Sequence, residues 1–337
     1  MMPKISILVA MRNEAGYIEE CLSSIFAQDY PTDRLEVWVL DSQSSDDSWK
    51  IVERILKGRP NCHLLSNSKI TQSAGWNLGI KHATGDIIAI VSAHAELASD
   101  YISTAVETMQ RTCADMVGGP MRADGKGRVG KAVALATSTP FGVGGGRFHY
   151  TDREEEVDTV YMGLWWRDLN RRIGGFDEEM VRNQDDEFSY RLLKQGGRIV
   201  CNPSIRSRYE NRSTLRSLWR QYFQYGLWKI RVMQKHPRQM RLSHFIPLAF
   251  VTALLCSTGF IFFSDLGQLL LALVSCSYVL ANLSFSVWIS YKHGWKHLPL
   301  LPIVFAILHL SYGLGFLAGI VKFAGKWGTK STNPVSH

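Results

Sequence analysis

Three long apolar runs, 244–263, 266–291 and 298–323, end the sequence, and Lys322 is the one Lys, Arg, Asp or Glu within them. As a helix, each is long enough to cross a hydrocarbon core about 30 Å thick. The residues before them mix charge with hydrophobicity, as a soluble domain does. Helices so apolar inside a soluble protein would need a covering layer, and the remaining sequence holds no segment that could form one. The chain is therefore expected to change solvent at its C-terminal third, a soluble domain giving way to a membrane domain.

The charge pattern agrees. The formal net charge is +8. Arg206, Arg208, Arg212, Arg216, Arg220, Lys229, Arg231, Lys235, Arg238 and Arg241 lie just before the first apolar run, opposed only by Glu210. Basic residues beside a membrane span follow the positive-inside rule and attract anionic headgroups, so the expected partner is membrane lipid and not nucleic acid. Met1-Met2-Pro3-Lys4 leads straight into "ISILVA" without the apolar stretch of a secretory signal, so the N-terminal domain is expected to stay in the cytosol. Six scattered cysteines with no Cys-x-x-Cys spacing read as reduced packing residues.

Strand and helix signals alternate at the start. "ISILVA" (5–10), "LEVWVL" (35–40), "HLLSN" (63–67) and "DIIAIV" (86–91) are short apolar runs of strand length. Between them, 15–28, 44–58 and 73–83 carry apolar residues at helical spacing, the second with Ser and Asp as cap candidates and Gly58 as its stop. This is an α/β pattern: an open, mostly parallel sheet with helices on both faces, which binds ligands beyond the carboxyl ends of its strands. "MVGGPMRA" (116–123) is a possible further strand. "TPFGVGGGRFHY" (139–150) reads as a glycine-dense loop, either a flap or plain surface. There is no phosphate loop of the NTPase or dinucleotide type. Over 214–234, Leu215, Leu218, Trp219, Tyr222 and Phe223 share a helical face, with Arg216, Arg220, Lys229 and Arg231 outside it, as an amphipathic helix at a headgroup layer requires.

Polar residues gather at the expected strand ends. Asn13-Glu14 follows the first strand. Asp41 follows the second, in "LDSQSSDD", where its carboxylate could accept from a ligand or cap a turn. "SAHAE" ends the strand at 86–91; if the chain stays extended, Ser92, His94 and Glu96 project from one face and could converge on a divalent cation. A histidine satisfied by backbone groups is the plainer alternative. In "RNQDDEFSYRLLKQGG" (182–197), Asp185, Asp186 and Glu187 open a helix; some of them serve as caps, and one could be a general base.

The order of "ISILVAMRNEAGYIEECLSSIFAQDYP", "VWVLDSQSSDDS", "NLGIKHATGDIIAIVSAHAEL", "RIGGFDEEMVRNQDDEFSYRLLKQGG" and "RQYFQYGLWK" resembles a family 2 glycosyltransferase of GT-A fold, over residues 4–235. The stretches S-A-H-A-E, R-N-Q-D-D-E and Q-Y-F-Q-Y-G, with the trailing apolar runs, are most similar to membrane-bound exopolysaccharide glycosyltransferases of the succinoglycan-biosynthesis type, which extend sugars on a polyprenyl-diphosphate carrier. The resemblance implies inverting transfer from a nucleotide sugar, usually a UDP-sugar, to a hydroxyl of a lipid-linked saccharide. It assigns Asp185 as general base, and Asn13, Glu14, Asp41, Ser92 and His94 to the donor. It assigns Asp186 and Gln221 to the acceptor. His94 with Glu96 would hold Mn2+ or Mg2+, with Mn2+ preferred for an imidazole. Ser92-Ala93-His94 falls on the family's D-x-D element, Gln184 replaces the acid before the base, and Trp76 stands where relatives carry an arginine.

The expected organisation is a cytosolic glycosyltransferase domain over 1–210, an interfacial region over 211–243, a membrane domain over 244–323 and a tail over 324–337, in a multi-pass protein of the inner membrane. Three complete spans would export Lys322, Lys326 and Lys330 against the positive-inside rule, so the third run, with its Pro and Gly residues, could instead re-enter. Two other functions fit the residues: a polyprenyl-phosphate glycosyltransferase, and a catalytically weak homologue acting as an assembly partner.

Overall fold

The computed structural model describes residues 2–211 and 213–327; Arg212 of the basic segment, and 328–337 of the expected tail with Lys330, lie outside them. The strands are β1 (Ile5–Met11), β2 (Leu35–Asp41), β3 (Cys62–Ser66), β4 (Ile87–Ser92), β5 (Ala95–Leu97), β6 (Met116–Gly119), β7 (Ala123–Asp124), β8 (Glu155–Glu156), β9 (Tyr161–Trp166), β10 (Ile199–Cys201) and β11 (Ser207–Glu210). The helices are α1 (Ile18–Phe26), α2 (Ser48–Leu56), α3 (Gln72–His82), α4 (Tyr101–Thr112), α5 (Gly127–Thr137), α6 (Pro140–Val143), α7 (Asp168–Ile173), α8 (Gln184–Lys194), α9 (Leu215–Lys235), α10 (Ile246–Phe260), α11 (Asp265–His293) and α12 (Leu301–Lys322).

Two compact units result. The residues up to Arg122, with Tyr150–Tyr209, make the first; Ala123–His149, with the described residues from Glu210 on, make the second. The expected domain over 1–210 differs from this division in 123–149, which groups with the C-terminal helices.

The first unit is built on an eight-stranded sheet in the order β3-β2-β1-β4-β9-β6-β10-β8. β3, β2, β1 and β4 run parallel, β9 runs antiparallel to β4 and β6, and β10 is parallel to β6. Every residue of β1 and β2 is buried, as parallel strands covered on both faces require. The register sets Met11 beside Asp41, Asp41 beside Ser66, and Ala10 beside Ser92. Four strand ends therefore share one edge. Two buried polar residues interrupt the apolar run: Ser6 Oγ donates to Glu36 Oε1 at 2.5 Å, while the Thr84 N–H and hydroxyl and the Lys4 ammonium also reach that carboxylate. Burial alone would raise the Glu36 pKa, but these donors outweigh it and hold the pKa down at about 2.

In the second unit α9 and α12 pack backbone to backbone. A Cβ added to Gly226 would lie 2.1 Å from the Tyr312 carbonyl oxygen, one on Gly315 2.0 Å from that of Phe223, and one on Gly319 2.5 Å from that of Leu227. Small residues allow this approach. The contact overturns one expectation: Lys229 and Arg231, placed outside the apolar face of α9, are 7% and 1% exposed. Nothing in the pattern of α9 itself shows that α12 will cover its second half. Arg231 is accommodated by Gln234 Oε1 at 2.6 Å and the Lys326 carbonyl at 3.2 Å.

The glycine-dense 139–150 is a second correction, since it is neither flap nor plain surface. Thr139 caps α6, the Phe141 ring stacks on Phe285 at 4.5 Å, and His309 Nε2 donates to the Phe141 carbonyl at 2.7 Å. Three helices, Leu242–Phe260, Asp265–His293 and Leu301–Lys322, are long and apolar enough to cross a membrane. α12 runs without a break for 22 residues, about 33 Å at 1.5 Å per residue, and so lacks the interruption that a re-entrant segment needs.

Because Glu36 titrates below its ordinary value, its contribution to stability is present above about pH 4.5 and is lost as pH falls through about 2. Glu36→Gln should cost on the order of 3 kcal/mol near neutral pH and flatten the acid limb between those limits. Denaturant unfolding of detergent-solubilised protein across that range tests this; an unchanged acid limb in the variant would exclude Glu36 as its source.

Candidate functional site

The loops after β1 and β2 are stitched together by side chains. Asp41, 3% exposed, accepts from Ser44 Oγ at 2.5 Å and from the Ser44 N–H at 3.1 Å. Ser44 Oγ in turn accepts from the Asn13 N–H, Asn13 Oδ1 accepts from the Ser45 N–H, and Ser48 Oγ accepts from the Glu14 N–H. The Ser-rich segment thus fixes the loop that carries Asn13 and Glu14, beyond any role in its own helix. Asn67, after β3, donates from its backbone to the Asp41 carbonyl at 2.7 Å and from its side chain to Ser42.

The next strand end departs from the extended geometry. A turn at Ala93-His94 separates β4 from β5. Ser92 and His94 do come together, with Ser92 Oγ 3.3 Å from His94 Nε2 and 3.5 Å from Nδ1. Glu96 does not join them. It pairs across β5–β11 with Arg208 at 3.7 Å, whereas His94 Nδ1 meets Glu14 Oε1 at 3.3 Å. The carboxylate beside the imidazole therefore comes from the β1 loop, 80 residues away in sequence. Among the described residues no three His, Cys, Asp or Glu side chains form a set that could hold a metal by themselves.

Aromatic rings surround this histidine. Tyr17 lies edge-on at 6.4 Å and Tyr209 is tilted at 5.6 Å, with Tyr161 edge-on to Tyr209. Burial pushes the Tyr161 hydroxyl well above its ordinary pKa; Tyr209 adds to the rise and the neighbouring Ser92 hydroxyl opposes it. Below them, burial raises the Cys21 thiol to about 12, aided by Glu14, so it stays protonated.

The acidic cluster divides by role. Glu187 is fully buried, and Arg191 grips it through Nε at 2.9 Å and Nη2 at 2.8 Å. The same guanidinium donates to the Ile173 and Gly175 carbonyls, which fixes the loop before α8. Asp185 and Asp186 stay partly exposed on the first turn, where the Asp186 N–H donates to Asp185 Oδ1 at 3.0 Å. Gln184 Nε2 donates to Gln72 Oε1 at 2.7 Å, so the start of α8 lies beside the start of α3, on the edge where β3 ends. Asn77 takes the Phe176 N–H and donates to its carbonyl. Trp76 is buried against Phe176 at 4.7 Å, which makes it a packing residue. Gln221 belongs to the second unit, on α9, and donates to the Tyr225 hydroxyl at 2.8 Å.

Backbone strain marks the same edge. Six non-glycine residues among those described have positive φ: Asn13, Gln43, Ile70, Cys113, Met162 and Asn183. All but Cys113 lie at the strand ends or before α8, and such conformations cost roughly 1–3 kcal/mol each. Ile70 and Met162 are poor choices for that region on steric grounds. A hollow lined by Pro3, Arg34, Asp86, Trp166 and Arg171 opens at the opposite edge, where the parallel strands begin, and has no part in this arrangement.

Residues 6–174, half of the chain, match the family model described as Glycosyl transferase family 2. The chain is similar to the dolichyl N-acetyl-alpha-D-glucosaminyl phosphate 3-beta-D-2,3-diacetamido-2,3-dideoxy-beta-D-glucuronosyltransferase of Methanococcus voltae, 28% identical over 326 residues, which covers 94% of this chain and 97% of that protein. It is also similar to the succinoglycan biosynthesis protein ExoA of Rhizobium meliloti, 27% identical over 323 residues, covering 94% and 95%. Among solved structures it is similar to a mannosyltransferase from Pyrobaculum calidifontis in complex with GDP-Man and Mn2+, with a TM-score of 0.64, 22% identity, and coverage of 92% of this chain and 88% of that one. That likeness identifies the fold as GT-A.

The buried pair at the base of α8 makes a direct test of how the site is held. Glu187→Ala leaves the Arg191 guanidinium buried without its carboxylate and should cost roughly 3–5 kcal/mol in denaturant unfolding. A loss under about 1 kcal/mol, the range of exposed pairs, would mean that the bridge does not anchor the helix.

Proposed function

The chain belongs to glycosyl transferase family 2, and from that premise we propose that it moves a sugar from a nucleotide sugar, a UDP-sugar by preference, to a hydroxyl of a polyprenyl-diphosphate-linked saccharide. The transfer inverts the anomeric carbon and takes place at the cytosolic face of the inner membrane, in exopolysaccharide or related glycan synthesis. The observation that carries this reading is the gathering of Asp41, Glu14, His94 and the Asp185-bearing start of α8 along one edge of the sheet.

The roles follow from chemistry. An acceptor hydroxyl is a weak nucleophile, so the Asp185 carboxylate takes its proton as oxygen attacks the anomeric carbon and the bond to the departing diphosphate breaks. Asp41, with Asn13 and the serines that brace it, lines the donor nucleotide's side, and Glu14, Ser92 and His94 lie toward the diphosphate. Asp186 is assigned to the acceptor. His94 and Ser92 fit a divalent cation as an incomplete donor set, one imidazole and one hydroxyl, so the nucleotide and water would complete the shell. Such an ion, Mn2+ or Mg2+, would neutralise charge on the leaving diphosphate.

Two further observations support the acceptor and the membrane. The Methanococcus relative is named for a dolichyl-phosphate-linked sugar, and the Rhizobium relative for an exopolysaccharide. Charge is also segregated along the sequence: residues 123–149 and 210–329 hold sixteen Lys and Arg against three acids (Asp124, Glu210 and Asp265), a net of +13, leaving 22 bases and 27 acids, a net of −5, in the rest of the chain. A cationic helical unit suits anionic headgroups and a lipid diphosphate.

The test is release of nucleotide by detergent-purified protein from a panel of UDP- and GDP-sugars, with lipid-diphosphate saccharide and lipid monophosphate as rival acceptors. Turnover only with the monophosphate would replace the acceptor proposed. Asp185→Asn should lower turnover by about 10²- to 10⁴-fold and change donor affinity by less than about twofold. Near-normal turnover in that variant would remove Asp185 as base.

A further inference from the structure

The donor reading above leaves one gap, because the strand end it assigns to the diphosphate has Ser92 and His94, neither of them a carboxylate. A lone imidazole is a usable ligand only if its tautomer and orientation are set by what its other nitrogen bonds. The structure supplies that partner: Glu14 Oε1 lies 3.3 Å from His94 Nδ1, and an ionised carboxylate can only accept. A neutral imidazole bonded in this way carries its proton on Nδ1 and keeps a lone pair on Nε2; the Ser92 hydroxyl lies 3.3 Å from Nε2 and 3.5 Å from Nδ1.

We propose that Glu14 is the positioning residue of a one-imidazole cation site: it holds His94 with Nε2 available to a divalent ion shared with the donor's diphosphate. The proposal rests on the donor reading of this edge. Several features fit Glu14 for the task. The left-handed turn at Asn13 and the bond from the Glu14 N–H to Ser48 Oγ fix where its side chain begins. Its side chain is 21% exposed, which limits competition from water. Tyr17 and Tyr209 flank the imidazole, their ring centroids 6.4 and 5.6 Å from its own. Glu96, the carboxylate nearest in sequence, is unsuited: its side chain is 43% exposed and committed to Arg208. With no closed set of three ligating side chains among the described residues, the ion should bind only with nucleotide present.

Loss of Mn2+ electron paramagnetic resonance signal on titration into detergent-solubilised full-length protein, with and without UDP or GDP, reads this directly. Nucleotide binding is followed in parallel by calorimetry. Wild type should bind Mn2+ only with nucleotide. Glu14→Ala should weaken that binding by about 10- to 100-fold, the usual cost of losing a carboxylate behind a ligating histidine. Glu14→Gln, whose amide oxygen still accepts from Nδ1–H, should recover most of the loss and also guards against misfolding of the alanine variant. Glu96→Gln should match wild type. Equal loss in both Glu14 variants would make Glu14 a direct ligand and overturn the positioning role. Wild-type affinity in Glu14→Ala, or a loss in Glu96→Gln, would overturn it too. If wild type binds nucleotide without any Mn2+ dependence, this inference falls and the donor reading stands; if it binds no nucleotide, both fall.

Discussion

The parallel register of β1 between β2 and β4 is the constraint on which the first unit depends. Parallel strands need crossover connections, so the loops after β1, β2 and β3 each lead from a strand to a helix, while β4 turns at Ala93-His94 into β5. With Met11 level with Asp41, and Ala10 level with Ser92, the three loops start side by side and must find hydrogen-bond partners in one another. The serines of 42–48 answer that demand, taking N–H groups from the neighbouring loop. A shift of one residue in β1 would reverse the facing of its side chains and separate Glu14 from His94.

Much of this was legible beforehand. β1, β2, β4 and the first three helices follow from apolar period and length alone, because their burial is set by elements close in sequence. The residues at the strand ends were also found, since a polar group after an apolar run stands out. Their pairings were not. Strand alternation matches Glu96 to His94, but the turn at Ala93-His94 sends Glu96 to Arg208 and sets Glu14 beside the imidazole. The strained conformations at Ile70 and Met162 leave no compositional trace, since neither residue type favours them. The burial of Lys229 and Arg231 likewise depends on a helix some 80 residues later in the chain, invisible to the period of α9 itself.

That burial bears on how the helical unit tolerates its charge. Bases far outnumber acids over 123–149 and 210–329, yet Lys229 and Arg231 are enclosed. Arg231 is met by carbonyl and amide oxygens, which desolvate a guanidinium at lower cost than leaving it unpaired. Arg231 thereby fastens α9 to the segment that follows α12.

The direct contact between α9 and α12 has a mechanical consequence. Where main chains meet at glycine there is no side chain to compress or rotate, so sliding one helix along the other requires the whole interface to come apart. α12 then serves as a ruler for α9: whatever sets the depth of α12 in its surroundings also sets the height of Gln221, and a bilayer of different thickness would raise or lower both together.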